Sequence, residues 1–187
     1  MAALLVAAGD RRRHGLPPVL SGDTRVLILG SFPGEASLAA RQYYAHPRNH
    51  FWPLLAAIVA EPLAALAYED RLARLSAHRI GLWDTIVVCT RAGSLDTAIR
   101  SATRAEVCRV RGRAPHVALV CFNGTTAARA APAWRAAGYP TLALPSSSPA
   151  YTRPFAEKLA AWRAIADHLR TMPTDSPIAA GTRSCAR

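Results

Sequence analysis

The densest concentration of groups able to do chemistry lies in VLILGSFPGEASLAARQYYAHPRNHFW, residues 26–52. Tyr43, Tyr44, His46, Arg48, Asn49 and His50 share one connection there. A stretch so rich in polar and aromatic groups is costly to keep without a task. Asn49 offers an amide that can orient water or bond a leaving group; it can equally cap the helix beginning near Phe51–Pro53. His46 can orient water or bind phosphate, or make a structural hydrogen bond. His46 and His50 lie four apart on a loop with no third ligand, so no metal site is expected. Asp84, in GLWD, can accept from an N–H or activate water; its alternatives are a cap or an ion pair with an arginine. Asn123, before Gly124, can contact a ligand edge or build a turn. Ser31 as a nucleophile lacks the G-x-S-x-G elbow, and no His–Asp pair is placed by spacing.

These residues need a scaffold, and the apolar pattern supplies one. Val26–Leu29, closed by Gly30, reads as a short strand buried on both faces of a parallel sheet. Ser31-Phe32-Pro33-Gly34 follows, where a doubly wound sheet opens its ligand crevice. Ile80–Cys89, His116–Phe122 and Thr141–Leu144 read as three further strands. Helices are expected from Pro53, over Leu63–His78, over Thr103–Arg113, from Thr125 to Ala137, and over Phe155–Leu169. Alternating strands and helices predict a three-layer α/β/α sandwich around a four-stranded parallel sheet. One domain is expected over residues 15–170, with 1–14 and 171–187 as flexible tails. Arg11–Arg13 in the first tail is either a solvated cluster or a DNA-contacting arm.

Composition narrows the partner. The chain has 187 residues, and its formal net charge of +11 is carried almost wholly by arginine, Lys158 being the only lysine. Arginine forks match phosphate and stack on bases, so nucleic acid is the leading partner class. The bland alternative is an Ala- and Arg-rich compositional habit. Cys89, Cys108, Cys121 and Cys185 form no CxxC pair, which fits neither zinc nor an iron–sulfur cluster. Scattered thiols suit a reducing cytoplasm. The apolar run at the start is too short to span a membrane, and neither a signal peptide nor a transmembrane helix is expected.

GSFPG (Gly30–Gly34), YYAHPRNHFW (Tyr43–Trp52), GLWD (Gly81–Asp84), RAGSLD (Arg91–Asp96), CFNG (Cys121–Gly124) and LPSSSPA (Leu144–Ala150) occur in that order. The ordered set resembles the uracil-DNA glycosylase superfamily, and within it the hypoxanthine-DNA (deoxyinosine) glycosylase branch, related to the mismatch-specific uracil and thymine enzymes. The resemblance spans roughly residues 15–170. It implies hydrolysis of an N-glycosidic bond in DNA containing deaminated bases, with no metal or other cofactor. It also implies a bacterial-type cytoplasmic protein that meets the nucleoid through DNA, monomeric by default.

The resemblance also assigns residues. Mismatch-type relatives carry a catalytic amide in the first loop as GINPG, where this chain has Phe32. The segment HPRN then nominates Asn49 as the catalytic amide, with Asp84 and His46 as the other candidates for handling water. Tyr44 falls where relatives stack an aromatic on the flipped base, and Phe32 is a second apolar wall. Ser31, Trp83 and Asn123 are expected near the base edge. Pro33, Gly34 and Arg48 are expected against the DNA backbone. Ser146, Ser147 and Ser148, stiffened by Pro145 and Pro149, resemble the loop that pinches that backbone, with an ordinary polar loop as the alternative. Tyr151 or Arg153 follows where relatives insert a wedge. No motif contains a lysine, so water and not a Schiff base is expected as the nucleophile. A basic nucleic-acid-binding module without catalysis is the alternative from another class.

Overall fold

The structure, a computed structural model, describes residues 12–171. Its strands are β1 (Arg12–His14), β2 (Val26–Gly30), β3 (Ile80–Asp84), β4 (Ile86–Thr90), β5 (Arg100–Arg104), β6 (Leu119–Asn123) and β7 (Thr141–Leu144). Its α-helices are α1 (Glu35–Ala40), α2 (Phe51–Val59), α3 (Tyr68–Ala77), α4 (Val107–Arg113), α5 (Thr125–Ala128), α6 (Ala131–Ala136), α7 (Phe155–Trp162) and α8 (Ala164–Thr171).

The expected parallel sheet is present, in the order β3-β2-β6-β7. Side chains alternate across β2, and this divides the interior in two. Val26 and Ile28 pack with Phe51, Leu54, Leu55 and Trp162 on one face. Leu27 and Leu29 pack with Trp83, Val120, Phe122 and Trp134 on the other. All four β2 side chains are fully buried. Each such burial contributes roughly 1.5–3 kcal/mol, so β2 is the keel of the domain.

A second sheet, antiparallel in the order β1-β4-β5, departs from the sequence reading. The region that reads as one strand, Ile80–Cys89, breaks at Thr85. There the Thr85 amide donates to the Gly30 carbonyl and the Ile86 amide to Ser31, so the chain turns around the end of β2. β3 is buried along its whole length, whereas β4 has partly exposed positions, as a one-faced strand does. β1 pairs Arg12 with Thr90 and His14 with Val88, so Arg12–His14 is ordered strand and not tail. The rest of the two expected tails, residues 1–11 and 172–187, lies outside the described residues.

Three helices are also shorter than their apolar spacing suggests. Arg100–Arg104 is a strand, so the helix expected from Thr103 begins at Val107. Pro132 opens α6 and separates it from α5, because proline has no amide to continue the ladder. Leu63–Ala65 is a single 3₁₀ turn, and Leu66 is extended before α3 starts.

Candidate active site

The carboxyl ends of the parallel strands, with the loops that leave them, enclose a cleft of about 460 Å³. That size admits one nucleobase with its sugar. β2 ends at Gly30, which pairs in register with Asp84 at the end of β3. A Cβ on Gly30 would stand 2.4 Å from Asp84 Oδ1 and 3.1 Å from the Tyr44 hydroxyl. Only glycine leaves room for both groups at this point of the floor.

Asp84 is buried, and its Oδ2 has no hydrogen-bond partner. Burial, reinforced by the negative charge of Asp96 and opposed by Arg91, pushes its carboxyl up to about 8. Its burial therefore favours the carboxylic acid, which can donate a hydrogen bond, over a carboxylate ready to take a proton from water. Tyr44 Oη is likewise buried and makes no close hydrogen bond; burial, reinforced by Asp84 and opposed by the nearby Asn123 side chain, raises its ionisation well above the usual phenol range.

Tyr43 and Tyr44 both border the cleft but use their hydroxyls differently. Tyr43 is buried, and its hydroxyl donates to the Pro17 carbonyl at 3.1 Å. Tyr44 adopts a left-handed backbone at φ 55° and lines the cleft. That conformation is strained for a side chain of this size and is held by the packing around it. One face of its ring stacks on Phe51 at 3.6 Å and 12°. Phe51 is fully buried, so the core holds the Tyr44 ring in place at the cleft wall.

Asn49 makes the helix-entry bond read from the sequence and also borders the cleft. Its Oδ1 accepts from the Phe51 amide at 2.9 Å, which fixes the entry to α2. Its amide NH₂ has no partner and belongs to a side chain that lines the cleft. His46 also lines the cleft; its Nδ1 accepts from the Arg48 amide at 3.2 Å, so in the neutral ring Nε2 carries the proton. The His50 amide donates to the Ser147 carbonyl at 3.0 Å, tying this segment to the serine loop.

The serine loop is held from below. Asn123 Oδ1 accepts from the Ser147 amide and its Nδ2 donates to Ser147 Oγ, both at 2.8 Å. The turn before α5 is therefore the main employment of Asn123, although it reaches the cleft wall. Gly124, at φ 96°, lets that turn pass Ser146, whose Cβ would be 3.0 Å from a Cβ added there. Trp162 Nε1 donates to the Pro145 carbonyl at 2.9 Å. Lys158, almost fully buried, donates to the Tyr151 carbonyl at 2.7 Å. The only lysine is thus a strut under the loop, pointing its ammonium at backbone oxygens. Its signal in the sequence is a lone lysine on the apolar side of a closing helix.

Several expectations change. Trp83 is 2% exposed and packs on the far core with Leu27 and Leu29, because neighbours on a strand face opposite ways; it does not reach the base. Ser147 is 1% exposed and bonded to Asn123, whereas Ser146 and Ser148 are partly exposed at the cleft. Ser31 donates its hydroxyl proton to Asp96 Oδ1 at 2.7 Å. Phe32 is 5% exposed, its ring packed with Ile86 and Cys89 beneath the Arg91 guanidinium, so little of it walls the cleft. Of the residues expected against DNA, Pro33, Gly34, Pro149 and Tyr151 line the cleft, and Arg48 and Arg153 do not. Arg48 is exposed, and Arg153 pairs with Glu157 at 3.5 Å. Sequence reasoning missed Arg91, which sits in what reads as a polar turn and is instead 1% exposed, donating to the Pro33 carbonyl.

Such a cleft can stack one planar ring, bond its edge from below, and hold a water or leaving group against an amide. Among the described residues no cluster of three or more His, Cys, Asp or Glu could hold a metal ion. Among the same residues no helix is long and apolar enough to cross a membrane.

Comparison with known proteins gives this cleft a family. The uracil DNA glycosylase superfamily model matches residues 17–170. A hypoxanthine DNA glycosylase of Methanosarcina barkeri is 40% identical over 151 residues, 81% of this chain and 96% of the relative. One from Methanosarcina acetivorans is 38% identical over 156 residues, 83% and 99% of the two chains. A solution NMR structure from Methanosarcina acetivorans, provisionally described as a uracil DNA glycosylase, superposes with a TM-score of 0.78 at 38% identity. It covers 86% of this chain and 99% of its own. The chain belongs to the uracil DNA glycosylase superfamily. It is a DNA glycosylase, an enzyme that hydrolyses an N-glycosidic bond in DNA.

Proposed function

We propose that the enzyme excises deaminated bases, hypoxanthine before uracil, after the damaged nucleotide has been turned out of the helix into the cleft. The observation that carries this reading is a cleft with Tyr44, stacked on Phe51, in its wall, and with the Tyr44 hydroxyl and the Asp84 carboxyl meeting at Gly30 on its floor. A base inside a duplex cannot reach such a floor, so it has to leave the stack first. The two Methanosarcina relatives named for hypoxanthine support that base as the substrate. The description of the solved neighbour keeps uracil as the second.

In this reading the flipped base stacks on Tyr44. Protonated Asp84 donates to an acceptor on its edge, which favours the build-up of negative charge as the base departs. The free NH₂ of Asn49 bonds the leaving base or orients the water. The C1′–N bond breaks with its electron pair going to the base. Water adds its oxygen to C1′ and releases a proton to the departing base or to solvent, leaving an abasic site. Lys158 is engaged with backbone carbonyls away from the cleft, which favours this hydrolytic course over a Schiff base. Ser146 and Ser148, with Pro33 and Gly34, hold the phosphates on either side. The protein then works wherever cytoplasmic DNA accumulates deaminated bases.

The test is a cleavage assay after alkali on matched duplexes carrying one deoxyinosine, one deoxyuridine or only normal bases. Strand breakage at deoxyinosine, with slower or no breakage at deoxyuridine, is expected. Breakage at deoxyuridine alone would assign the cleft to uracil. Breakage at neither would remove deaminated bases as its substrates.

A further inference from the structure

RAGSLD, Arg91–Asp96, forms the connection between β4 and β5, and the glycosylase reading gives its leucine no task. Three of its side chains turn onto the first loop and the start of α1. Arg91 donates to the Pro33 carbonyl and lies 4.9 Å from the centre of the Phe32 ring. Ser94 Oγ accepts from the Glu35 amide at 2.9 Å. Asp96 Oδ1 accepts from Ser31 Oγ at 2.7 Å. Leu95 stands between the last two on extended backbone, φ −78° and ψ 133°. In extended chain successive side chains point opposite ways, so anchoring Ser94 and Asp96 inward sends Leu95 outward. It is 61% exposed.

Among the described residues, the large hydrophobic side chains that stand exposed are Leu95 and Tyr151, at 61% and 39%. Both line the mouth of the same cleft, from different loops. A single exposed leucine is ordinary on a protein surface. One held outward by anchors on both sides, at the lip of a cleft built for a base, is not. Apolar side chains of this kind part base steps in DNA by entering the stack.

We infer that Leu95 is an insertion residue, which enters the base stack of duplex DNA beside the nucleotide taken into the cleft, as the partner of Tyr151 on the serine loop. RAGSLD is then a clip whose anchors fix the first loop and whose tip opens the helix. The inference rests on the glycosylase reading of the cleft. It predicts a residue needed to open a duplex and dispensable once the base is already unpaired.

The experiment compares wild type with Leu95→Ala and Leu95→Met under single-turnover conditions. The target is deoxyinosine or deoxyuridine, whichever the wild type cleaves, placed in a duplex, in an unpaired bubble and in a single strand. Leu95→Ala is expected to cleave the duplex at least about tenfold more slowly, because the wedge no longer props the step open. On the bubble and single strand it should stay within about twofold of wild type, as an exposed substitution does. Leu95→Met, which keeps the bulk, should restore most of the duplex rate. The rise in 2-aminopurine fluorescence beside the target on duplex binding should fall in Leu95→Ala. An equal loss on all three substrates would place Leu95 in the chemistry of the cleft and overturn the insertion role. Full activity of Leu95→Ala on duplex would overturn it as well. Wild type silent on every substrate would overturn the deaminated-base reading on which this inference rests, and this inference with it.

Discussion

The first loop, Ser31–Gly34, and the segment Tyr43–His50 border the same cleft, yet they use their polar groups in contrary ways. The first loop turns its groups inward. Ser31 gives its hydroxyl proton to Asp96, Phe32 is packed under Arg91, and the Pro33 carbonyl takes the Arg91 guanidinium. The second segment leaves groups free. Tyr44 Oη makes no close hydrogen bond, the Asn49 NH₂ has no partner, and His46 keeps Nε2 available. Where relatives of the mismatch type place a reactive amide, this chain has built a strut. The amide that this chain brings to the cleft, Asn49, stands instead where the connection meets α2.

The comparison can be broken by substitution, and the largest effect belongs to Asn49. Asn49→Ala should lower the single-turnover rate by about 100-fold or more, the usual loss when a donor to the reacting centre is removed. Its loss of the Phe51 cap should cost only about 1 kcal/mol of stability, so melting curves separate the two roles. Gly30→Ala comes next. Its added Cβ would meet Asp84 and Tyr44, and moving the floor by even about 1 Å should lower the rate by roughly tenfold to 100-fold.

Asp84→Asn tests the state of the floor. The folded carboxyl titrates at about 8, above its ordinary 3.8. The stability it contributes is therefore complete below 3.8 and lost as pH rises through 8. A tenfold change in proton affinity is worth about 1.4 kcal/mol, so holding the ionised form in this floor costs the fold on the order of 5 kcal/mol. Asparagine has no such proton to lose. Asp84→Asn should raise the melting temperature over wild type at about pH 9 by more than about 5 °C, and far less at about pH 5. Its activity should also hold above about pH 8, where wild type declines. An activity in wild type that climbs through that pH would instead make Asp84 a base. The smallest effect is expected at Ser31. Ser31→Ala removes one hydrogen bond to Asp96, worth about 1 kcal/mol, and should slow cleavage less than about fivefold.

Much of this is legible in the residues. The apolar runs closed by Gly30 and Asn123 announce strands buried on both faces, and the sheet follows them. The small antiparallel sheet is not legible. β5 is RSATR, exposed at every position, and carries no alternation to read; only its pairing with β4 makes it a strand. Parity misleads at Trp83, which shares a motif with Asp84 but takes the opposite face of β3. Asn49 reads as a choice between cap and catalyst, and the geometry allows both, because the two ends of one amide do different work. Arg91 is hidden because a buried arginine bonded to a backbone carbonyl looks, in sequence, like any surface arginine in a turn.

The most direct test of where the chemistry resides sets Asn49→Ala beside Ser31→Ala on one duplex carrying the preferred deaminated base. Binding is measured by fluorescence anisotropy and cleavage in a single turnover. The structure predicts that both variants bind DNA like wild type, that Asn49→Ala loses about 100-fold or more in cleavage, and that Ser31→Ala keeps most of it. A Ser31→Ala variant as impaired as Asn49→Ala, or an Asn49→Ala variant that cleaves at nearly the wild-type rate, would contradict the assignment and return the chemistry to the first loop.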